Sequence, residues 1–332
     1  MQADLARLRI GVIGLGSVGS IVAEALARMG IEHIRLLDFD AVELLNLDRV
    51  LHATAEDARE GLAKVVVAQR ALSASATAAD PRVDALEWSV VEEEGFRAAL
   101  DCDVLFSCVD RPWPRAALNL IAYAHLIPAV DGGIIVSRTE SRRMRGADWR
   151  AHIAGPGRRC LECLGQYDPA LVQSEREGRF DDPEYMAHLA DEDPLRRNEN
   201  VFAFSIGCAA LEIGQFLSMV VAPGGIASYG AQMYHFAVGT LEHDECACNL
   251  NCLYSGPWLA KGETIGIVVT APHQIAEDAR AARVPRAADA PHPRSTWIAR
   301  MREKLRRRAR IWDPVGDVPP ASRATSSKGR GA

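Results

Sequence analysis

A glycine-rich turn close to the N-terminus constrains the fold of this 332-residue chain more than any other stretch. Ile10 to Ile13 form a short, unbroken apolar run that is typical of a strand buried on both faces. Gly14, Gly16 and Gly19 follow in the spacing G-x-G-x-x-G, and residues 17–29 repeat apolar side chains with the 3.6-residue period of a helix. Because this order of elements brings backbone N–H groups against a phosphate, the stretch predicts nucleotide binding.

An acidic residue at the end of the next predicted strand strengthens this interpretation. The strand covers residues 34–37, and Asp38 follows it, 22 positions after Gly16, where a carboxylate can bind a ribose hydroxyl. The alternative is that the glycines only make a turn in some other α/β protein. The strand before them, the helix after them and the acid at this distance favour nucleotide binding.

Strand and helix patterns alternate along the first half of the chain. The further predicted elements are strands over 83–90, 103–109 and 127–130 and helices over 55–74, 92–100 and 116–125. This alternation predicts an α/β fold with a Rossmann-like, doubly wound, mostly parallel sheet. Right-handed crossovers would then bring Gly14, Asp38 and Asp110 to the same edge of the sheet.

The second half of the chain is predicted to extend this sheet. Residues 134–153 and 229–238 indicate antiparallel strands, and residues 201–221 have the apolar period of a core helix. A polar, proline-punctuated crossover over residues 165–200 lies between them, and connections of this length are usually functional or mobile.

Composition divides the chain near residue 270. Residues 1–270 are predicted to form the nucleotide-binding domain, and residues 271–332 an Ala/Pro/Arg-rich linker, a basic helix over 296–311 and a disordered tail. From Pro291 onward the formal charge is +8, against −14 for the rest. The basic helix could contact a membrane surface, nucleic acid or an acidic partner, but we favour docking of its apolar stripe on the acidic body, so nucleic acid is not an expected partner.

The sequence indicates a cytoplasmic protein without a membrane span. No run approaches the ~18 apolar residues that a spanning helix needs, and no signal-peptide pattern precedes the first strand. Eight cysteines in that compartment indicate metal binding or free thiols rather than a disulfide framework.

Polar residues after the second strand carry a more specific signal. The segment LLDFDAVELLNLDR ends in Asn46-Leu47-Asp48-Arg49, Lys64 follows downstream, and Asp110 ends a later strand. Together with GLGSVGS and two cysteine groups, these residues resemble the ubiquitin-activating-enzyme superfamily, in its HesA/MoeB/ThiF-like adenylyltransferase branch, over about residues 9–258. Nicotinamide-dependent enzymes do not carry the N-L-x-R pattern at this distance from the strand-end acid.

The resemblance implies that residues 1–270 are a ThiF-like adenylation domain that uses ATP. Its substrate would be the C-terminal glycine carboxylate of a ubiquitin-like or sulfur-carrier protein, and pyrophosphate would be released. The implied site residues are Asp38 on the ribose, with Asp40 as neighbour or substitute, Asn46, Arg49 and Lys64 on the phosphates, and Asp110 on Mg²⁺. Of these, Arg49, Lys64 and Asp110 are the candidate catalytic residues. Adenylation needs such residues, since cations must neutralise the charge that develops between a carboxylate and a polyphosphate, and Mg²⁺ prefers oxygen ligands.

Four cysteines are predicted to hold a structural Zn²⁺. Cys160 and Cys163 have the spacing of a metal half-site, and a second pair is expected downstream. The downstream group departs from the usual C-x-x-C spacing; Cys248 and Cys252 are the preferred pair, with Cys246 as substitute. The alternative is reduced cysteines without metal. The remaining cysteines, Cys102, Cys108 and Cys208, lie in apolar elements and are interpreted as core residues.

Three departures from the resemblance refine the expectations. Some relatives form a thioester on a cysteine of the crossover loop, but residues 165–200 contain none and Cys208 lies in an apolar helix, so adenylation without an obligatory thioester is expected. Relatives often supply an arginine from an N-terminal helix to a neighbouring subunit, and only Arg7 and Arg9 are candidates here. Arg111 follows Asp110 where relatives commonly have asparagine.

The expected partners are the carrier protein, a downstream transfer enzyme that receives the activated group, and a second copy of the chain in a homodimer. Alternatives are activation of a small-molecule or RNA carboxylate, and a non-catalytic scaffold subunit of an activating complex. An NAD-dependent oxidoreductase is the weakest alternative, because the sequence offers no obvious acid–base pair for hydride transfer.

Overall fold

Eight strands form one sheet in the computed structural model, which describes residues 2–139, 143–188, 200–221, 230–256, 259 and 270–289. The strands are β1 (Arg9–Ile13), β2 (His33–Leu37), β3 (Arg82–Leu86), β4 (Val104–Ser107), β5 (Ala129–Arg138), β6 (Met144–Ala154), β7 (Ala231–His235) and β8 (Thr240–Asp244). The α-helices are α1 (Gln2–Ala6), α2 (Ser17–Arg28), α3 (Ala55–Glu60), α4 (Lys64–Ser75), α5 (Glu93–Leu100), α6 (Pro112–Ala124), α7 (Pro169–Arg176), α8 (Pro183–His188), α9 (Phe202–Val221) and α10 (Gln274–Asp289).

The order of strands in the sheet is β3-β2-β1-β4-β5-β6-β7-β8. The four pairings from β3 to β5 are parallel, and the three from β5 to β8 are antiparallel. The structure therefore confirms the predicted doubly wound, mostly parallel sheet with an antiparallel extension. The order reverses between β1 and β4, and ligands of such sheets bind at this position, beyond the carboxyl ends of the strands.

The central strands are buried on both faces, as their apolar pattern predicts. Ile10 and Val12 of β1 belong to one core cluster, whereas Ile13 belongs to a second cluster on the other face. Helix α2 covers the first face with Val22 and Leu26, both fully buried. Burial of each such side chain stabilises the fold by about 1.5–3 kcal/mol. This packing fixes α2 against β1, and it therefore fixes the position of the glycine turn between them.

Several predicted boundaries were wrong for local reasons. The single helix over 55–74 is two helices, because Gly61 adopts a left-handed conformation (φ 60°) that ends α3, and α4 then begins at Lys64. The strand predicted over 127–130 instead begins at Ala129, runs through Gly132 and Gly133 to Arg138, and pairs with β6 along its length. Strand β8 was not predicted.

Helix α9 is the core helix that its apolar period predicts. It packs against α2, β5 and β6. Its segment Phe202–Val220 is nevertheless long and apolar enough to cross a membrane by length and composition, with 39% of that window buried inside the protein. The sequence-based statement that no run approaches this length was therefore too strong, and packing accounts for the helix within the fold.

The region after residue 270 differs from the predicted linker. Contacts along the chain define one compact unit over residues 1–283 and a second over 284–332. Helix α10, which the sequence did not predict, begins inside the first unit. The predicted basic helix over 296–311 and the predicted disordered tail lie outside the described residues.

Candidate active site

A cavity of about 1120 Å³ lies at the carboxyl edge of the sheet. Apart from Gly19 and the cysteines, every predicted site residue lines it, namely Gly14, Gly16, Asp38, Asp40, Asn46, Arg49, Lys64 and Asp110. The far side of the cavity is formed by β5 and β6, through residues such as Gly132, Ile135 and Trp149. The structure thus brings the predicted residues to one place, next to strands that the sequence predicted but did not assign to the site.

The glycine turn is shaped by close contacts and by one open position. Gly14 has φ 90°, and a Cβ atom there would lie 2.6 Å from the carbonyl oxygen of Cys108. A Cβ atom on Gly19 would overlap the carbonyl oxygen of Gly14, so the missing side chain lets α2 pack on the turn. At Gly16, by contrast, no atom of the described residues other than its own and those of its two chain neighbours lies within 4 Å of the Cβ position. Gly16 precedes the N-terminus of α2 and no side chain caps it, which leaves room for a phosphate against the helix N–H groups.

Asp38 is buried, and the backbone already binds both of its carboxylate oxygens. Oδ2 accepts a hydrogen bond from the N–H of Leu15 (2.6 Å), and Oδ1 accepts one from the N–H of Asp40 (2.8 Å). Burial raises the pKa of Asp38 to about 6, although the nearby Lys64 ammonium opposes the shift. Asp38 therefore ties the glycine turn to the loop after β2, while the side chain of Asp40 is about half exposed.

Lys64, the first residue of α4, lies next to these acids. Its Nζ donates to Oδ2 of Asp40 at 2.7 Å, and its backbone N–H donates to the carbonyl of Asp40 at 2.9 Å. Burial alone would lower the pKa of Lys64, but the carboxylates of Asp38 and Asp40 outweigh it and raise the pKa overall. Lys64 thus presents a fixed positive charge to the cavity at every physiological pH.

The remaining predicted polar residues differ in their hydrogen bonds and in their exposure to solvent. Oδ1 of Asn46 accepts the N–H of Glu43 at 3.2 Å, so Asn46 shapes its own turn. Nε of Arg49 donates to Asp48 at 3.0 Å, and its side chain is 24% exposed. Asp110 is exposed in the loop between β4 and α6.

An ion-pair network forms the floor of the cavity beside β5, and the sequence did not predict it. Buried Asp131 accepts from Nε of Arg115 (2.9 Å), from Nη1 of Arg150 (2.6 Å) and from Oγ of Ser107 (2.7 Å). Burial would raise the pKa of Asp131, but the two guanidinium groups outweigh it and lower that pKa. Only the presence of charged residues inside otherwise apolar elements signalled this network.

Two cysteines, Cys208 and Cys108, and the buried acid Glu212 lie next to this floor. The thiol of Cys208 contacts the carbonyl oxygen of Arg150 (3.5 Å), and burial raises its pKa well above the usual range. The Cys108 thiol contacts Oε2 of Glu212 at 3.7 Å, and burial raises the pKa of both groups. The interpretation of Cys208 as a core residue agrees with its zero exposure, whereas Cys108 is only partly buried and lines the cavity.

Cys160, Cys163, Cys248 and Cys252 come together in one cluster, as the preferred pairing predicts. Their sulfur atoms all lie within 4.8 Å of one another, and those of Cys160 and Cys252 are 3.5 Å apart. A tetrahedron with Zn–S bonds of about 2.3 Å has edges of about 3.8 Å, so the donor set fits Zn²⁺. Backbone N–H groups of Cys160, Cys163 and Asn249 also point at cluster sulfurs. Cys246 is exposed and does not belong to the cluster.

The arginines named in the second and third departures, Arg7, Arg9 and Arg111, lie in different places. Arg7 pairs with Asp4 at the surface, and Arg9 pairs with Asp101 near the start of β1, at the edge of the sheet opposite the cavity. Arg111 lines the cavity and pairs with Asp181 of the crossover at 3.0 Å. Neither Arg7 nor Arg9 is therefore part of the cavity of its own chain.

Parts of this chain are similar to curated proteins. Molybdopterin-synthase adenylyltransferase of Escherichia coli K12 is 32% identical over 168 residues, which are 50% of this chain and 61% of that protein. Ubiquitin-like modifier-activating enzyme 5 of Drosophila virilis is 34% identical over 131 residues, which are 35% of this chain and 32% of that protein. The chain therefore spans less than two thirds of the length of these curated relatives.

Solved structures show the same fold. A crystal structure of E. coli MccB with succinimide aligns with a TM-score of 0.58, 17% identity and coverage of 77% of this chain and 69% of that chain. The family model that matches the sequence is described as the ThiF family, and it covers residues 1–268. Since that region holds the glycine turn, the polar loop, Asp110 and all four clustered cysteines, the chain belongs to the ThiF family.

Proposed function

We propose that the chain is an ATP-dependent adenylyltransferase that activates the C-terminal glycine carboxylate of a ubiquitin-like or sulfur-carrier protein. The observation that carries this proposal is the convergence of the glycine turn, Lys64, Arg49 and Asp110 on one cavity that continues onto β5 and β6. The relatives named as adenylyltransferase and ubiquitin-like modifier-activating enzyme support the reaction, and MccB has been crystallised with ATP.

The cavity suggests how ATP would lie. Its phosphates would meet the N-terminus of α2 at Gly16, where there is space and where the helix dipole favours negative charge. The ribose would lie beyond β2, near Asp40. Asp38 would keep this loop in place through the hydrogen bonds that it accepts from the N–H groups of Leu15 and Asp40. Lys64 and Arg49 would bind phosphate oxygens, Lys64 exchanging its contact with Asp40 for a stronger anion.

The chemistry follows from these charges. A carboxylate oxygen of the carrier attacks the α-phosphorus, a new P–O bond forms, and the bond to pyrophosphate breaks. Lys64 and Arg49 stabilise the negative charge that moves onto the leaving group, and the glycine turn keeps the phosphates in line. The exposed Asp110 carboxylate fits a Mg²⁺ ligand, and Mg²⁺ bound there would supply further neutralisation of the polyphosphate.

The adenylate would leave this chain without passing through one of its thiols. The crossover over 165–200 has no cysteine, and Cys208 is buried with a raised pKa, so it is a poor nucleophile. The acyl group would therefore pass directly to a nucleophile on a downstream transfer enzyme, with the acyl–phosphate bond breaking and AMP leaving. We also propose that the protein acts in the cytoplasm as a homodimer.

We further propose that the four clustered cysteines bind a structural Zn²⁺. The site would tie the segment after β6 to the segment after β8, and its loss would cost several kcal/mol of stability. Cys163→Ser should reduce bound zinc from one ion per chain to none, measured by elemental analysis, and lower the melting temperature. Cys246→Ser, a cysteine outside the cluster, should retain the ion; equal zinc content in both variants would refute the assignment.

ATP–pyrophosphate exchange tests the proposed reaction. With Mg-ATP and a candidate protein that ends in Gly-Gly, exchange should depend on the terminal glycine and fall about 10²–10³-fold in Asp110→Ala. Asp80→Ala, which removes an 82% exposed carboxylate, should leave exchange unchanged. Absence of exchange despite normal Mg-ATP binding would contradict the proposal and favour a small-molecule or RNA carboxylate, or a scaffold subunit.

A further inference from the structure

Residues 271–283, here called the strap, lie beyond the region that the family model matches and yet reach the cavity. The match ends at residue 268, whereas His273 and Ile275 line the cavity wall. The sequence predicted a linker at this position. The strap is therefore an addition to the family region that takes part in the candidate site.

The strap is anchored to the loop after β3. The N–H of Ala271 donates to the carbonyl of Val91 at 3.0 Å. Arg280 donates to both carboxylate oxygens of Glu92 (2.6 and 3.0 Å), and its guanidinium lies 4.0 Å above the ring of Trp88. Because Glu92 is buried, this bidentate pair is shielded from solvent.

A second set of bonds anchors the strap to the loop after β2. Arg283 donates through Nη2 to the carbonyl of Phe39 at 2.7 Å and through Nε to Glu87 at 2.8 Å. Phe39 lies between Asp38 and Asp40, so the strap holds the segment that would meet the ribose. The strap is thus fixed to both loops that border one end of the cavity.

His273 of the strap has a buried ring nitrogen without a hydrogen-bond partner among the described residues. Its ring meets Phe39 and Trp113 edge-on, with centroid distances of 5.1 and 5.6 Å, and the residue is only 6% exposed. Its Nδ1 atom has no hydrogen-bond partner among the described residues. An unpaired buried polar atom costs about 1–3 kcal/mol, which a polar ligand edge would recover.

The base of a nucleotide would lie at this end of the cavity. With phosphates at the turn after β1 and ribose at the end of β2, the base continues toward the end of β3, where Trp88, Ser89 and Val90 line the cavity. We propose that the strap forms a wall of the base pocket and that His273 hydrogen-bonds the amino edge of adenine. This inference rests on the proposed function, because it requires ATP in the cavity.

The state of the His273 ring suits this role. Burial lowers the pKa of His273, so the imidazole is neutral at pH 7 and has one donor and one acceptor. Adenine presents a 6-amino donor beside the N1 acceptor. A neutral histidine can therefore accept a hydrogen bond from the 6-amino group, and the surrounding aromatic rings favour a flat, apolar base.

Three probes separate base recognition from a structural role: Mg-ATP, Mg-purine riboside triphosphate, which lacks the 6-amino group, and Mg-tripolyphosphate, which lacks the base. The unmodified chain should bind ATP about tenfold more tightly than purine riboside triphosphate, the value of one hydrogen bond in a buried site. His273→Phe keeps an aromatic ring and should abolish that preference while leaving the tripolyphosphate Kd unchanged. Glu277→Gln, an exposed strap variant, should behave as the unmodified chain.

Other outcomes would overturn the inference. If His273→Phe weakens all three probes equally, His273 only supports the fold; if it retains the tenfold preference, it does not contact the amino edge. Either result leaves the proposed function intact. Failure of the unmodified chain to bind Mg-ATP would refute both proposals.

Discussion

The two halves of the sheet contribute to one cavity in different ways. In the parallel half, the lining side chains follow strand ends, as Asp38 follows β2 and Asp110 lies beyond β4. In the antiparallel half, they lie within strands, as Ile135 does in β5 and Arg150 in β6. Strand-end residues converge by topology alone, whereas strand-interior residues converge only when the register is right.

The halves also differ in how their charges are held. Lys64 and Asp40 form a pair in which the acid is about half exposed, so a ligand can replace one partner. The Arg115–Asp131–Arg150 network is almost fully buried, and removing one member would leave a buried charge unpaired. Under the proposed function, we infer that the parallel half would exchange its contacts with the nucleotide, while the antiparallel half would form a rigid surface for the carrier.

The largest effect should come from Lys64, because a ligand can replace its contact with Asp40. Lys64→Met should lower ATP–pyrophosphate exchange about 10³-fold, because a cation that neutralises the transition state is lost from a mostly buried position. The Kd for the carrier, measured calorimetrically without nucleotide, should not change. Arg59→Met removes an exposed cation from neighbouring α3 and is the control. A loss below tenfold in Lys64→Met would contradict the assigned role.

A smaller loss of activity is expected from a substitution on the side of the cavity that would bind the carrier protein. Ile135 lines the cavity from β5 and is 66% exposed, so Ile135→Ser should leave the fold stable while removing an apolar contact. The KM for the carrier should rise about 10- to 30-fold, the value of burying much of an isoleucine side chain, with the KM for ATP unchanged. Leu250→Ser, a fully exposed leucine that does not line the cavity, should have neither effect. A change in the KM for ATP alone would show that the two halves are not separate.

The same contrast explains how much could be predicted from sequence. The glycine turn, Asp38, Lys64 and Asp110 could be placed in one cavity because parallel strands end at a common edge. The cysteine cluster followed from spacing, although Cys248 and Cys252 depart from the usual pattern. In each case the information was local or was set by topology.

The missed features depend on long-range packing. Asp131 was excluded from a strand because the apolar run was taken to end at residue 130, yet it pairs with Arg115 and Arg150 from two other elements. Gly61 lies inside an otherwise helical pattern, and only its left-handed conformation divides the helix. The strap has an Ala/Pro/Arg-rich composition typical of linkers, and its order comes from Glu87, Glu92 and the carbonyl of Phe39 almost 200 or more residues earlier.

A buried acid of the crossover contacts the start of α6, and this contact should depend on pH. Glu175 of α7 has a side chain only 1% exposed, and its Oε2 accepts the N–H of Trp113 at the start of α6. Burial raises the pKa of Glu175 from 4.5 to about 7, partly opposed by the hydrogen bond from Trp113 and by Arg111. Between these pH values the folded chain keeps a proton that the unfolded chain has lost. The free energy of unfolding from this group therefore falls as the pH rises through that window.

Glu175→Gln removes this titration while keeping an oxygen acceptor for Trp113. The unfolding free energy of the variant relative to the unmodified chain should rise by about 2 kcal/mol between pH 5 and pH 7, measured by urea denaturation at both values. Glu177→Gln, two residues further along and exposed to solvent, should show no such trend. If Glu175→Gln loses stability as fast as the unmodified chain, the acid is already ionised at pH 5. The crossover would then be attached to the start of α6 by a charged pair with Arg111, and this contact would be insensitive to pH in this range.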